Sequence, residues 1–159
     1  MKGERQGGSG AQDLRRDARA AIAALEKSFV KRKNVDHHLV RAILVPLGSL
    51  IEAGEDVDAE LERLGGLIEP RKQLWEQALQ FELKLAVSEH VLSVDLRYLT
   101  RHNYDFDYTL RARERLQARL TAADALDTPV PASVIKQILQ ADAILEPFLR
   151  SREGEEPNN

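Results

Sequence analysis

Residues 97–114 read RYLTRHNYDFDYTLRARE and hold most of the side chains whose types and spacing could do chemistry. Oxygen-bearing residues recur at every second position, Asn103, Asp105, Asp107 and Thr109. That is the donor type hard cations such as calcium take. Just ahead stand Arg97, a fixed cation, and His102, the side-chain type whose charge changes near neutral pH. Interleaved with both sets are Tyr98, Tyr104, Phe106 and Tyr108. The whole chain carries one Trp, three Tyr and four Phe, so these four form a local concentration. Tyrosines at a corner between helices bury large area at low entropic cost and suit a protein-binding surface.

The oxygen pattern resembles an EF-hand loop. Asn103, Asp105, Asp107, Thr109, Arg111 and Glu114 fall at its positions 1, 3, 5, 7, 9 and 12, and Leu110 falls at position 8. The sharp turn at position 6 calls for glycine, and Tyr108 stands there, poorly suited to positive φ. No metal is therefore expected, and Asp105 or Asp107 reads instead as the cap of the following helix. The spacing Arg97, four residues, His102, one residue, Tyr104 resembles the R-x4-H-x-Y signature of HEPN-domain ribonucleases. These are small all-helical proteins that include toxin components of toxin–antitoxin pairs. The resemblance implies a metal-independent endoribonuclease acting as a homodimer on RNA. Arg97 would stabilise the anionic phosphorane, His102 would move the 2′-OH proton, and Tyr104 would position the substrate. On one regular helix Arg97 and His102 would stand about 140° apart, so this reading needs the helix to end between them. Read as helix-end residues instead, Arg97 and Arg101 complement the helix dipole and His102 caps the terminus.

Other candidate groups are sparse. His37 and His38 are adjacent and expected to point in different directions. His90 follows Glu89, but Val87 breaks the Glu-x-x-His spacing of a di-iron bundle. A basic run at 27–34, KSFVKRKN, sits where cations favour a helix C-terminus. With no cysteine, the chain has no disulfide, thiolate or Cys-based metal chemistry.

The elements that must position these groups are helical. At 159 residues, 43% hydrophobic and 31% charged, the chain is long enough for one packed domain. Its formal charge of −3 gives no broad electrostatic reason to bind nucleic acid, and no DNA contact is expected. No signal peptide or spanning stretch opens or interrupts it, so a cytoplasmic protein without membrane contact is expected.

Apolar steps of three and four predict a helix over 12–33, with Leu14, Ala18, Ala21, Ile22, Leu25 and Phe29 inward. A second helix, apolar nearly all round, is expected to start after an Asp36 cap, to bend at Pro46 and to end at Gly54. A short helix over 57–64 is expected to stop at Gly65–Gly66. The longest would begin near Pro70 and carry the stripe Leu74, Ala78, Phe81, Leu85, Leu92, Leu96 and Leu99, ending at 100–102. Helices over about 107–126 and after Pro131 complete an all-α, irregular bundle of five or six helices. The last carries Ile135, Ile138, Ala141, Leu145 and Phe148. The domain is expected over 12–150, between polar, disordered tails at 1–11 and 151–159.

The leading expectation is a non-catalytic bundle without cofactor that works by contact with another protein or with itself, possibly as a homodimer. Tyr98, Tyr104, Phe106 and Tyr108 would form its contact surface. The alternative is the ribonuclease, with Arg97, His102 and Tyr104 as its catalytic set and RNA as its partner.

Overall fold

The structure is a computed structural model that describes residues 2–31, 34–95, 99–101 and 105–155, with side chains described between residues 10 and 151. It is an all-α bundle. The helices are α1 (Lys2–Lys31), α2 (His37–Glu52), α3 (Asp58–Ile68), α4 (Lys72–Ser93), α5 (Phe106–Ala125) and α6 (Ala132–Glu155). A 3₁₀ turn, Glu69–Arg71, joins α3 to α4 and holds Pro70, where a missing N–H costs nothing. The ends expected as tails, 1–11 and 151–159, fall largely outside the described side chains.

Helix α2 is the central element, as its all-round apolar pattern predicts. Asp36 caps it, its carboxylate accepting from the His38 backbone N–H at 2.9 Å. Val40, Ile43, Leu44, Leu47 and Leu50 are fully buried. Pro46 lies inside α2 without ending it, and Gly54 follows with φ +78°, a conformation glycine adopts without strain. Against α2 pack the expected stripe of α1, with Ala18, Ala21, Ile22, Leu25 and Phe29 buried, and the small residues of α5. At the α2–α5 crossing Gly48 lets two backbones meet. A Cβ built on it would stand 1.8 Å from the Ala118 carbonyl oxygen.

Ionic clusters join the helices where apolar packing thins. Buried Glu60 of α3 receives Arg15 Nη1 and Arg19 Nε of α1, each at 3.0 Å. Burial alone would raise the Glu60 carboxyl. A backbone hydrogen bond and the two arginines outweigh it and leave the pKa below its ordinary 4.5. Arg119 Nε of α5 donates to Glu82 Oε1 of α4 at 3.0 Å, with both residues buried.

Three expectations need correction. Helix α3 runs through Gly65–Gly66 to Ile68. Each glycine costs only about 1 kcal/mol in a helix, and Leu64 and Ile68 are buried in the core on either side. Helix α4 ends at Ser93, with the Val94 N–H bonded to the His90 carbonyl. It does not extend to 100–102. Helix α5 keeps to its expected span, starting at Phe106, because the Asp105 carboxylate caps the N–H groups of Asp107 and Tyr108.

The stripe assigned to α4 is also displaced in part. Ala78 and Leu99 are buried as expected, but Phe81, Leu85 and Leu92 are exposed, and Trp75, Leu79, Leu83, Ala86 and Val87 are buried instead. No helix among the described residues is long and apolar enough to cross a membrane.

Candidate functional site

Helix α4 is apolar on two opposite sides. At 100° per residue, Trp75, Leu79, Leu83, Ala86 and His90 fall within one sector and are buried. Phe81, Leu85, Ser88 and Leu92 fall within a second sector on the far side and face solvent. Leu92 is 70% exposed. Of the large apolar side chains exposed among the described residues, all but Val30 and Tyr108 lie on α4 or α6. Between these two helices runs a groove of about 450 Å³. Val91, Leu92 and Val94 line one wall, and Ile144, Gln137 and Gln140 line the other. Among the described residues no charged one lines it, in a chain that is 31% charged.

A polar network beneath the groove holds the two walls in register. His90 of α4 is fully buried and its Nε2 lies 2.8 Å from Asp142 Oδ1 of α6. Arg113 of α5 grips the same carboxylate through Nε at 2.9 Å to Oδ1 and Nη2 at 3.1 Å to Oδ2. Burial would raise the Asp142 carboxyl. The Arg113 and His90 hydrogen bonds and the arginine charge outweigh it, so its pKa sits below the ordinary 3.8. With Asp142 ionised, His90 Nε2 is the donor. His90 Nδ1 is buried and has no partner among the described residues. The network is a joint among three helices.

The end of α4 is pinned as well. Ser93 Oγ donates to the His90 carbonyl at 2.7 Å, and Thr109 Oγ1 donates to the Ser93 carbonyl at 3.4 Å. Apolar packing on this side comes from Ala86, Val87, Leu116, Val134 and Ile138, and further along from Val94, Leu99, Ala141 and Leu145.

Of the residues singled out from sequence, Arg97, Tyr98, His102 and Tyr104 lie outside the described residues, as does Asn103 of the oxygen series. Phe106 packs, partly buried, against the Val94–Leu145 cluster. Tyr108 is 49% exposed and its hydroxyl donates to Glu89 Oε1 at 3.2 Å. Asp105 acts as the cap that the sequence allowed it to be.

His37 and His38 correct another expectation, because their rings lie together, centroids 4.0 Å apart and planes tilted by 36°. Their short side chains both leave the first turn of α2, where the rings can lean together. Together with Asp36 they bring three ligand atoms within 4.8 Å of one another. Asp36 is exposed and its Oδ1 already accepts the His38 N–H.

Comparison of the chain with family models, with curated proteins and with solved structures found no match.

Sequence reasoning missed the α4/α6 face, although its signal was present. A helix whose apolar residues fall in two opposed sectors has one side for its own core and one left over.

Proposed function

We propose that this chain is a non-catalytic helical-bundle protein of the cytoplasm that works by self-association, pairing with a second copy of itself through the α4/α6 face. The observation that carries the reading is the groove flanked by Leu92, Val91 and Ile144, which holds no charged residue among the described ones. Contiguous exposed apolar surface of this kind marks interaction sites in globular proteins. A two-fold interface sets the same patch against itself. Charges of one sign on such a patch would meet their own copies and repel, so an uncharged groove favours a second copy over a charged partner. The small formal charge of −3 adds little repulsion between copies. Phe81 and Leu85 extend the apolar strip along α4, and the exposed Gln137 and Gln140 supply neutral hydrogen-bonding groups at the groove wall.

The chain has no cysteine, so a single introduced thiol reports one position. A spin label on Ser88→Cys, at the groove, should show dipolar coupling between copies. The same label on Glu62→Cys, on the exposed side of α3, should show weaker coupling or none. Coupling at neither position, or stronger coupling at Glu62, would refute the proposed interface.

A further inference from the structure

A second depression, of about 600 Å³, lies where α1, α2, α4 and α5 converge, and its chemistry is unlike that of the apolar groove. Three arginines line it: Arg41 of α2, and Arg115 and Arg119 of α5. Arg115 is exposed and makes no hydrogen bond or ion pair among the described residues. Arg119 is buried as a whole and bound to Glu82 through Nε. Its terminal amino groups make no hydrogen bond among the described residues, yet they are not sealed from solvent. They therefore open into the depression. Arg41 Nη2 lies 3.1 Å from His38 Nδ1, which leaves its remaining donors available.

Burial lowers the Arg119 pKa below the usual arginine range. Glu82 opposes that shift, as Glu89 does more weakly, while Arg41 adds to it, so the Arg41 and Arg119 guanidinium groups are close enough to repel. An anion between them would relieve that repulsion.

Two carboxylates share the wall. Glu89 acts on Arg119 through its charge and accepts the Tyr108 hydroxyl, and Asp17 lies 3.8 Å from Arg16 Nε. The remaining wall is apolar, formed by Leu14, Ala20, Val45 and Pro46. Pro46 has no N–H to give the Ala42 carbonyl four residues back, and Ala42 also lines this wall. The volume falls within the range of small-molecule pockets.

We propose that this depression is a binding site for a phosphate monoester, with its phosphoryl group among Arg41, Arg115 and Arg119 and an apolar body against Leu14 and Val45. Three forked donors suit a tetrahedral dianion with three terminal oxygens, whereas a carboxylate has two oxygens to offer.

Calorimetric titration of the full chain with phenyl phosphate tests this. Binding should saturate and should weaken about tenfold or more in Arg115→Gln, the loss expected of a charge-assisted hydrogen-bonded pair. Arg115 is exposed and unpaired, so this variant keeps the fold. Arg41→Gln provides an independent second loss. Glu114→Gln, on α5 outside the depression, should leave binding unchanged. The proposal fails if phenyl phosphate shows no saturable binding, if benzoate binds equally well, or if Arg115→Gln binds like the parent.

Discussion

Replacing Gly48 by alanine should destabilise the protein, although the same exchange in most helices stabilises. In an open helix interior, alanine is favoured over glycine by about 1 kcal/mol. At Gly48 the new Cβ would lie 1.8 Å from the Ala118 oxygen, 2.5 Å from its carbonyl carbon and 2.7 Å from its Cα. All three are backbone atoms, so no side chain can turn away. Real Cβ atoms essentially never approach closer than 3.0 Å. Helices α2 and α5 must therefore separate by an ångström or more. That opens the packing around the fully buried Leu44, Leu47, Leu116 and Ala122. Overpacking of this kind costs roughly 3 kcal/mol. Set against the propensity gain, the net loss is about 2 kcal/mol, or roughly 4–8 °C in Tm for a chain of this size.

Gly66 provides the control. It is exposed within α3, nothing lies within 4 Å of its would-be Cβ, and its φ is ordinary. Gly66→Ala should gain about 1 kcal/mol. Urea denaturation followed by circular dichroism reads both. A Gly48→Ala variant as stable as the parent, or shifted in the same direction as Gly66→Ala, would refute the close α2–α5 crossing.

The buried Glu82–Arg119 pair predicts non-additivity. Glu82→Leu alone, which strands the arginine, should cost about 3–5 kcal/mol, while Glu82→Leu with Arg119→Met should recover most of it. A double variant no better than the single one would count against the mutual dependence of the two buried charges. The joint at Asp142 predicts an acid limb. Its folded pKa is lowered, so its contribution is complete above the ordinary 3.8 and is lost as pH falls through the folded value. Thermal unfolding against pH should find Asp142→Asn less stable than the parent near neutrality, with the gap closing in acid. A gap that stays constant to the lowest pH at which both fold would contradict this. Leu92→Lys should leave helicity unchanged and, at concentrations where the parent is monomeric, Tm as well, because Leu92 already faces solvent; a large fall in Tm under those conditions would mean that Leu92 belongs to the core of the single chain.

The helical class and most helix starts were legible because caps and three-to-four periodicity act locally. Asp36 and Asp105 do what their side chains can do wherever a helix begins after them. The inward face of α1 was equally plain, since its apolar residues have one side to occupy. Helix α4 defeated the same reasoning because it has two apolar sectors. Periodicity alone gives no reason to prefer Leu79 and Leu83 over Phe81 and Leu85 for the core. That choice is made by α2, α5 and α6, distant in sequence. The Gly65–Gly66 pair misled for a related reason, because the local cost of glycine was outweighed by Leu64 and Ile68 packing in the core. The arginine depression was invisible because Arg41 comes from a different helix than Arg115 and Arg119. Spacing along one helix carries no trace of such convergence.

Self-association is tested most directly by sedimentation equilibrium of the parent and of Leu92→Lys over a wide range of concentrations. The pairing of the α4/α6 faces predicts a monomer–dimer equilibrium for the parent and a monomer throughout for Leu92→Lys. A parent chain that stays monomeric at the highest concentration, or a dimer that survives a lysine at position 92, would contradict it.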